Sequence, residues 1–297
     1  MNLEIVAADP AGNITIFVLA AEGRGAAEFC SAKDEEPCPP ARRAAIAKAL
    51  LADLSLGAEQ VGFVIPAKPH TLRWKQTKSG GGAAEGLWRL EMMGGEFCGN
   101  AARSFGLFVA RETGLAGKGT VTIGISGAAE PLAVHVDTET GSAAAEMPLP
   151  LAEETLEYEG RPLPVYVFEG ITHVIAEGFE ADESLTRALL RLYRPAAGQP
   201  PPAAFGVMFY DAARRFMKPA VYVAATDSLV FESSCGSGSA ALGVWLARAG
   251  EESFEISQPG GVIEVTTVKR GGEIRRVTIG GKVGLSGRLS FAARGTA

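Results

Sequence analysis

Two cysteines stand in matching surroundings. Cys98 is followed by Gly99-Asn100, Cys235 by Gly236-Ser237-Gly238, and each pair opens a run with the length and period of a helix. A thiol at a helix start sits beside unpaired backbone amides and the positive end of the helix dipole, which favours the thiolate. A thiolate near neutral pH is a usable base, and a protonated partner on the opposite face is an acid. Taking a proton from one face of a carbon and delivering one to the other inverts a stereocentre. The same amides bind anions. Gly99 and Asn100 on one side, with Gly236 and Ser237 on the other, are therefore candidates to hold a carboxylate. They would also stabilise the charge that spreads onto it as an α-proton leaves.

The ordinary fate of a free cysteine is core packing, and for one cysteine alone that reading holds. Here the surroundings repeat. Phe97-Cys98-Gly99-Asn100-Ala101-Ala102-Arg103-Ser104-Phe105-Gly106 resembles Ser234-Cys235-Gly236-Ser237-Gly238-Ser239-Ala240-Ala241-Leu242-Gly243, and the echo continues to Ala110-Arg111 and Ala247-Arg248. Small residues at one spacing on two helices permit close packing at the same places in both. Cys30 and Cys38 lack this context.

The elements that must position these thiols alternate strand-length apolar segments with glycine turns. Helices are expected over Ala41 to Leu54, from near Asn100, over Ser184 to Leu192, and from near Ser237. Before each cysteine helix lies a hydrophobic run, Gln60 to Ile65 and Phe205 to Tyr210. After each comes a strand-like stretch ending in a turn, Val121 to Gly127 and Phe254 to Gly261. The class is α+β with much β. Two halves are expected, 1–150 carrying Cys98 and 151–275 carrying Cys235, related by rough twofold symmetry and meeting at a cleft. The boundary lies between the Pro148 to Pro150 turn and the proline-rich Arg194 to Pro202 loop. The final strands, around Arg276 to Ile279 and Leu289 to Ala292, are candidates to cross back into the first half.

The 297 residues, 47% of them hydrophobic, can bury a sizeable core. The net charge of -6 comes from intermixed acids and bases with no basic run, which argues against nucleic acid and for a small-molecule partner. Glu4 and Asp9 break any secretory pattern in the first twenty residues, and no apolar run reaches the roughly 18 residues of a membrane span. The cytoplasm is the expected compartment. Four unevenly placed cysteines suggest no disulfide framework, and no close Cys/His set suggests zinc. His70 and His135 read as surface or structural residues.

The Cys98-Gly99-Asn100 and Cys235-Gly236-Ser237-Gly238 motifs resemble those of the diaminopimelate epimerase superfamily. That resemblance implies a fold of two pseudo-symmetric, mostly-β halves, each wrapping a central helix, with the active site in the cleft between them. It also implies a cofactor-free proton exchange between two cysteines. Several blocks are most similar to the histidine racemases of staphylopine-type metallophore pathways: Pro10 to Thr15, Glu59 to Phe63, Glu96 to Ala101, Glu232 to Gly238 and Gln258 to Gly261. Racemisation of a free amino acid, histidine before any other, no pyridoxal phosphate, no metal, a homodimer and a place in metallophore biosynthesis follow from the resemblance.

The same resemblance puts Asn13 in the pocket, where its amide can donate and accept; an Asx turn after Gly12 is the plainer role. Glu59 is matched to a substrate ammonium or imidazole, and Gln60 to neutral hydrogen bonds, although adjacent strand residues point to opposite faces. His173 occupies the place of a histidine that assists one cysteine, and its near-neutral intrinsic pKa suits proton handling. A hydrogen-bonded strand-end histidine is the alternative. Where diaminopimelate epimerases carry a Glu-Arg pair before the second cysteine, this chain reads Ala225-Thr226-Asp227-Ser228. Without that arginine a distal carboxylate loses a two-pronged partner. Diaminopimelate is thus the second candidate substrate, and a non-catalytic amino-acid-binding module is the third reading.

Overall fold

A computed structural model describes residues 2–21, 40–67, 87–195, 201–224 and 227–292. Cys30, Cys38, His70, Ala225 and Thr226 lie outside the described residues, as does most of the proline-rich loop. The fold is mostly β with few helices. The chain divides into two compact units, 1–145 together with 282–297, and 146–281.

The first unit begins with β1 (Asn2–Asp9) and β2 (Thr15–Ala21), followed by a helix over Pro40–Leu51. β3 (Gln60–Ile65) and β4 (Arg89–Met92) lead to the Cys98 helix (Gly99–Glu112). Then come β5 (Lys118–Ile125), β6 (Leu132–Asp137) and β7 (Ser142–Glu146). The helix expected to reach Leu54 stops at Leu51. The Asp53 side chain caps a separate short turn over Leu54–Leu56, which Gly57 closes in the left-handed region.

The second unit holds β8 (Ala152–Tyr158), β9 (Arg161–Phe168), β10 (Ile171–Glu177) and a helix over Glu183–Leu192 capped by Asp182. β11 (Ala204–Asp211), β12 (Phe216–Val223) and β13 (Ser228–Phe231) precede the Cys235 helix (Gly236–Leu246). β14 (Gly250–Gln258), β15 (Gly261–Arg270) and β16 (Glu273–Gly280) follow it. The strand over Arg276 to Ile279 thus pairs with β15 inside the second unit. The return to the first unit is made by β17 (Gly284–Leu285) and β18 (Leu289–Ala292), both antiparallel to β1.

Strand pairing explains the sequence echo. In the first unit β1 pairs antiparallel with β2, β2 parallel with β3, β3 antiparallel with β4 and β4 parallel with β5, and a β5-β6-β7 meander follows. The second unit repeats that series with β9, β10, β11, β12, β14, β15 and β16. The Cys98 helix is buried from Gly99 to Ala110 and packs on β1, β5 and β6. The Cys235 helix packs on β10, β11, β15 and β16. A helix buried on all sides needs small residues where strands cross it closely. Eight residues beyond each cysteine stands a glycine, and a Cβ there would lie 2.4 Å from a valine methyl, Val134 in β6 for Gly106 and Val265 in β15 for Gly243.

Gly106→Ala and Gly243→Ala should therefore each cost about 1–3 kcal/mol, because a β-branched side chain on a paired strand has little room to retreat. Denaturant midpoints measure this. Unchanged midpoints would mean that the valine strands shift without strain.

Candidate active site

Both cysteines are helix N-caps. Cys98 has φ −133° and ψ 116°, and its sulfur accepts from the Ala101 amide at 3.4 Å. Cys235 has φ −121° and ψ 113°, and its sulfur accepts from the Gly238 amide at 3.4 Å. The backbone turns into the helix at each cysteine and aims the first-turn amides at the sulfur, the position an N-cap oxygen normally takes. Both are free thiols, Cys98 half-buried and Cys235 buried.

In the first unit the structure joins Asn13, Glu59 and Asn100. Asn13 Nδ2 donates to Glu59 Oε2 at 2.6 Å, and Asn100 Nδ2 donates to Asn13 Oδ1 at 3.3 Å. The turn beside Asn13 is capped by Asp9, which accepts from the Gly12 amide at 2.7 Å. That leaves the Asn13 side chain for Glu59 and Asn100 and removes the Asx-turn reading. Among the described residues Gln60, the first of β3, is not joined to this group, and its buried Oε1 has no partner. Gly99 begins the helix beside Cys98 and is buried.

In the second unit His173, Ser237 and Cys235 form a line. His173 Nε2 lies 2.9 Å from Ser237 Oγ, which lies 3.6 Å from Cys235 Sγ. Nδ1 of the ring is buried and has no partner among the described residues. Because an orphaned N–H is costlier than an orphaned lone pair, the proton is assigned to Nε2, which then donates to Ser237. The Ser237 hydroxyl is left to donate to the sulfur. Gly236 is buried at the first helical position.

Two electrostatic expectations are corrected here. Burial pulls His173 down to about 3, so the ring is neutral at physiological pH and meets Ser237 rather than a sulfur. Its intrinsic near-neutral pKa is lost to desolvation. Burial, then the Glu232 charge, pushes the Cys235 thiol well up, outweighing the Gly238 amide and the Ser237 hydroxyl. The helix N-terminus alone does not make Cys235 a thiolate. Among the described residues no group of three His, Cys, Asp or Glu is placed to hold a metal ion, and no helix is long and apolar enough to cross a membrane.

The family model described as "Histidine racemase CntK N-terminal domain" matches residues 2–291. The chain belongs to the histidine racemase family. A histidine racemase of Fusobacterium nucleatum is 30% identical over 268 residues, covering 88% of each chain. One from Staphylococcus aureus is 26% identical over 296 residues, covering 97% of this chain and 95% of the relative. Among solved structures, a hydroxyproline epimerase from Agrobacterium vitis superposes with a TM-score of 0.58 at 12% identity, over 99% of this chain and 94% of the other. That likeness concerns the fold alone.

For a member of the histidine racemase family, two buried polar residues beside the cysteines are conspicuous, and sequence reasoning assigned them no role. Gln258 Oε1 accepts from the Cys235 amide at 2.8 Å, and its Nε2 donates to Ser239 Oγ at 2.9 Å. Gln258 precedes a Pro-Gly-Gly turn inside one of the blocks that resemble the histidine racemases, and that block was its signal. Arg103 lies fully buried in the Cys98 helix, where Nε donates to Asn100 Oδ1 at 3.2 Å and Nη1 to the Lys282 carbonyl at 3.3 Å. The Arg103-to-Asn100 spacing of one helical turn was its signal.

Proposed function

We propose that this chain is a cofactor-independent histidine racemase in which Cys98 and Cys235 exchange the substrate α-proton. It is an isomerase: one sulfur takes the proton from Cα, the electron pair left behind spreads into the carboxylate, and the other sulfur returns a proton to the opposite face. The enzyme ends with the protonation of its two sulfurs exchanged, and the reverse direction restores it. The observation that carries this reading is the identical capping geometry of the two cysteines, each sulfur 3.4 Å from the third amide of its helix.

Burial favours the protonated form of Cys235, so Cys235 starts as the acid in the substrate-free enzyme. Backbone amides of Gly99, Asn100, Gly236 and Ser237 serve the carboxylate, where negative charge grows in the transition state. Asn13 and Glu59 serve the ammonium or imidazole nitrogens, and Gln60 adds a neutral acceptor. His173 assists Cys235 through Ser237 as a neutral hydrogen-bond donor. A homodimer, a cytoplasmic location and supply of D-histidine to metallophore biosynthesis go with this reading and rest on the family resemblance.

The test is incubation of the reduced protein, without added cofactor, with separate L-amino acids and with diaminopimelate in deuterium oxide. Exchange at Cα and loss of chirality are followed together. Histidine should exchange and racemise at linked rates. Turnover confined to diaminopimelate would move the substrate assignment and undo the argument from the absent arginine. Binding of histidine with no deuterium at Cα would make the chain a binding module.

A further inference from the structure

Arg103, Asn100, Asn13 and Glu59 form one unbroken line of hydrogen bonds, at 3.2, 3.3 and 2.6 Å in order. Its two ends are chemically unlike. A guanidinium only donates and an ionised carboxylate only accepts, whereas an asparagine amide does both. With those ends fixed, each amide has one orientation. Asn100 turns Oδ1 to Arg103 and Nδ2 to Asn13, and Asn13 turns Oδ1 to Asn100 and Nδ2 to Glu59. Flipping either amide would set donor against donor or acceptor against acceptor.

Arg103 is completely buried, and Asn100 and Asn13 nearly so. A buried guanidinium is costly unless its donors are used. Here Nη1 holds the Lys282 carbonyl and Nε starts the line, while Nη2 has no hydrogen-bond partner among the described residues. The matching position of the second helix, five residues past its cysteine, is Ala240, also completely buried. Packing at this site in the repeat therefore needs only a methyl group. The arginine adds a polar function to the first unit alone, where Asn13 and Glu59 lie.

We propose that Arg103 is a positioning residue whose guanidinium sets the direction of the Asn100-Asn13-Glu59 relay, holding the Glu59 carboxylate so that a substrate N–H meets it in one orientation. The inference rests on Glu59 being a substrate contact, as proposed above. Arg103 does not touch the substrate. It acts through two amides whose order it dictates, and coupling along such a polarised line is stronger than pairwise bonds suggest.

Histidine kinetics on the full-length enzyme test this with Arg103→Lys, Glu59→Gln, their double variant, Asn13→Asp and Asn13→Ala. Arg103→Lys, which keeps the charge but loses the fork, should raise KM about tenfold with kcat little changed. Its effect should vanish in the Glu59→Gln background, since no carboxylate is left to orient. Asn13→Asp should raise KM more than Asn13→Ala, because it sets an acceptor against the Glu59 oxygen. Glu59→Gln raising KM while Arg103→Lys leaves it unchanged would overturn the relay, and so would multiplying effects in the double variant.

An unchanged KM in Glu59→Gln would instead remove Glu59 from the substrate site. Thermal unfolding then decides the relay: the Tm losses of Arg103→Lys and Glu59→Gln should be non-additive, and additive losses would sink it. If Arg103→Lys does not fold, the ranking of the two Asn13 variants decides, and Asn13→Asp equal to or better than Asn13→Ala would overturn the proposal.

Discussion

Cys98→Ser and Cys235→Ser should each lower racemisation by about a thousandfold or more while leaving the protein at least as stable as the parent. Serine is a preferred N-cap residue, and its oxygen can take the Ala101 or Gly238 amide that each sulfur now accepts. The fold keeps its cap. The chemistry does not survive, because an alcohol is a far weaker acid than a thiol, and a positioned acid or base contributes about 10²- to 10⁴-fold. Alanine at either position should lose as much activity and in addition about 1 kcal/mol of helix capping. The double serine variant should be little slower than either single one, since inversion needs both faces and the pair acts as a unit. Chiral analysis of histidine alongside a chemical denaturation curve measures both quantities. Full inversion by either single variant would end the two-thiol mechanism.

Acid should destabilise this protein through His173. The ring titrates at about 3 in the folded chain, against about 6.5 in an unfolded one. Between those values the unfolded chain takes up a proton that the folded chain refuses. Stability from this residue is therefore intact above about pH 6.5 and falls as pH drops, by up to about 1.4 kcal/mol per pH unit. The groups placed against the ring among the described residues are uncharged: Phe168 edge-on, Ser237 at Nε2, and Gly206 and Met208 in β11. Desolvation is the whole cause of the shift. Urea midpoints of the parent and of His173→Gln, taken from about pH 8 to about pH 4, separate this from carboxylate titration, which both chains share. The parent curve should be steeper by up to one proton. Parallel curves would mean that the ring is protonated within the folded state.

How far the sequence could be read depended on whether a feature was local. The two cysteine helices, the runs Gln60–Ile65 and Phe205 to Tyr210, and the glycine spaced eight residues beyond each cysteine are patterns within one element. They were legible because period and side-chain size decide them. The strand at Leu289 to Ala292 was legible as a strand that returns, whereas the pairing of Arg276 to Ile279 with β15 is a choice made across the sheet. The state of His173 and of Cys235 was hidden, because desolvation depends on what covers a group. Arg103 among alanines and phenylalanines resembles a solvent-facing charge until the helix is found buried on every side. Gln258 resembles a turn residue until its amide is found against Cys235, twenty-three positions earlier.

β18 takes beside β1 the place that β8 takes beside β9. In the second unit β8 forms a hairpin with β9 across a tight turn. In the first unit the partner of β1 on that side is β18, among the last residues described. Synthesis proceeds from the amino end, so all of 146–281 has been made before residues 289–292 exist. A nascent chain at that stage holds every strand of the second unit, while β1 still has one row of amides and carbonyls open to any strand that comes near. Such an edge is a template for pairing between chains. The vulnerable species of this protein is therefore a growing polypeptide, and its protection depends on how soon β18 is released to pair with β1.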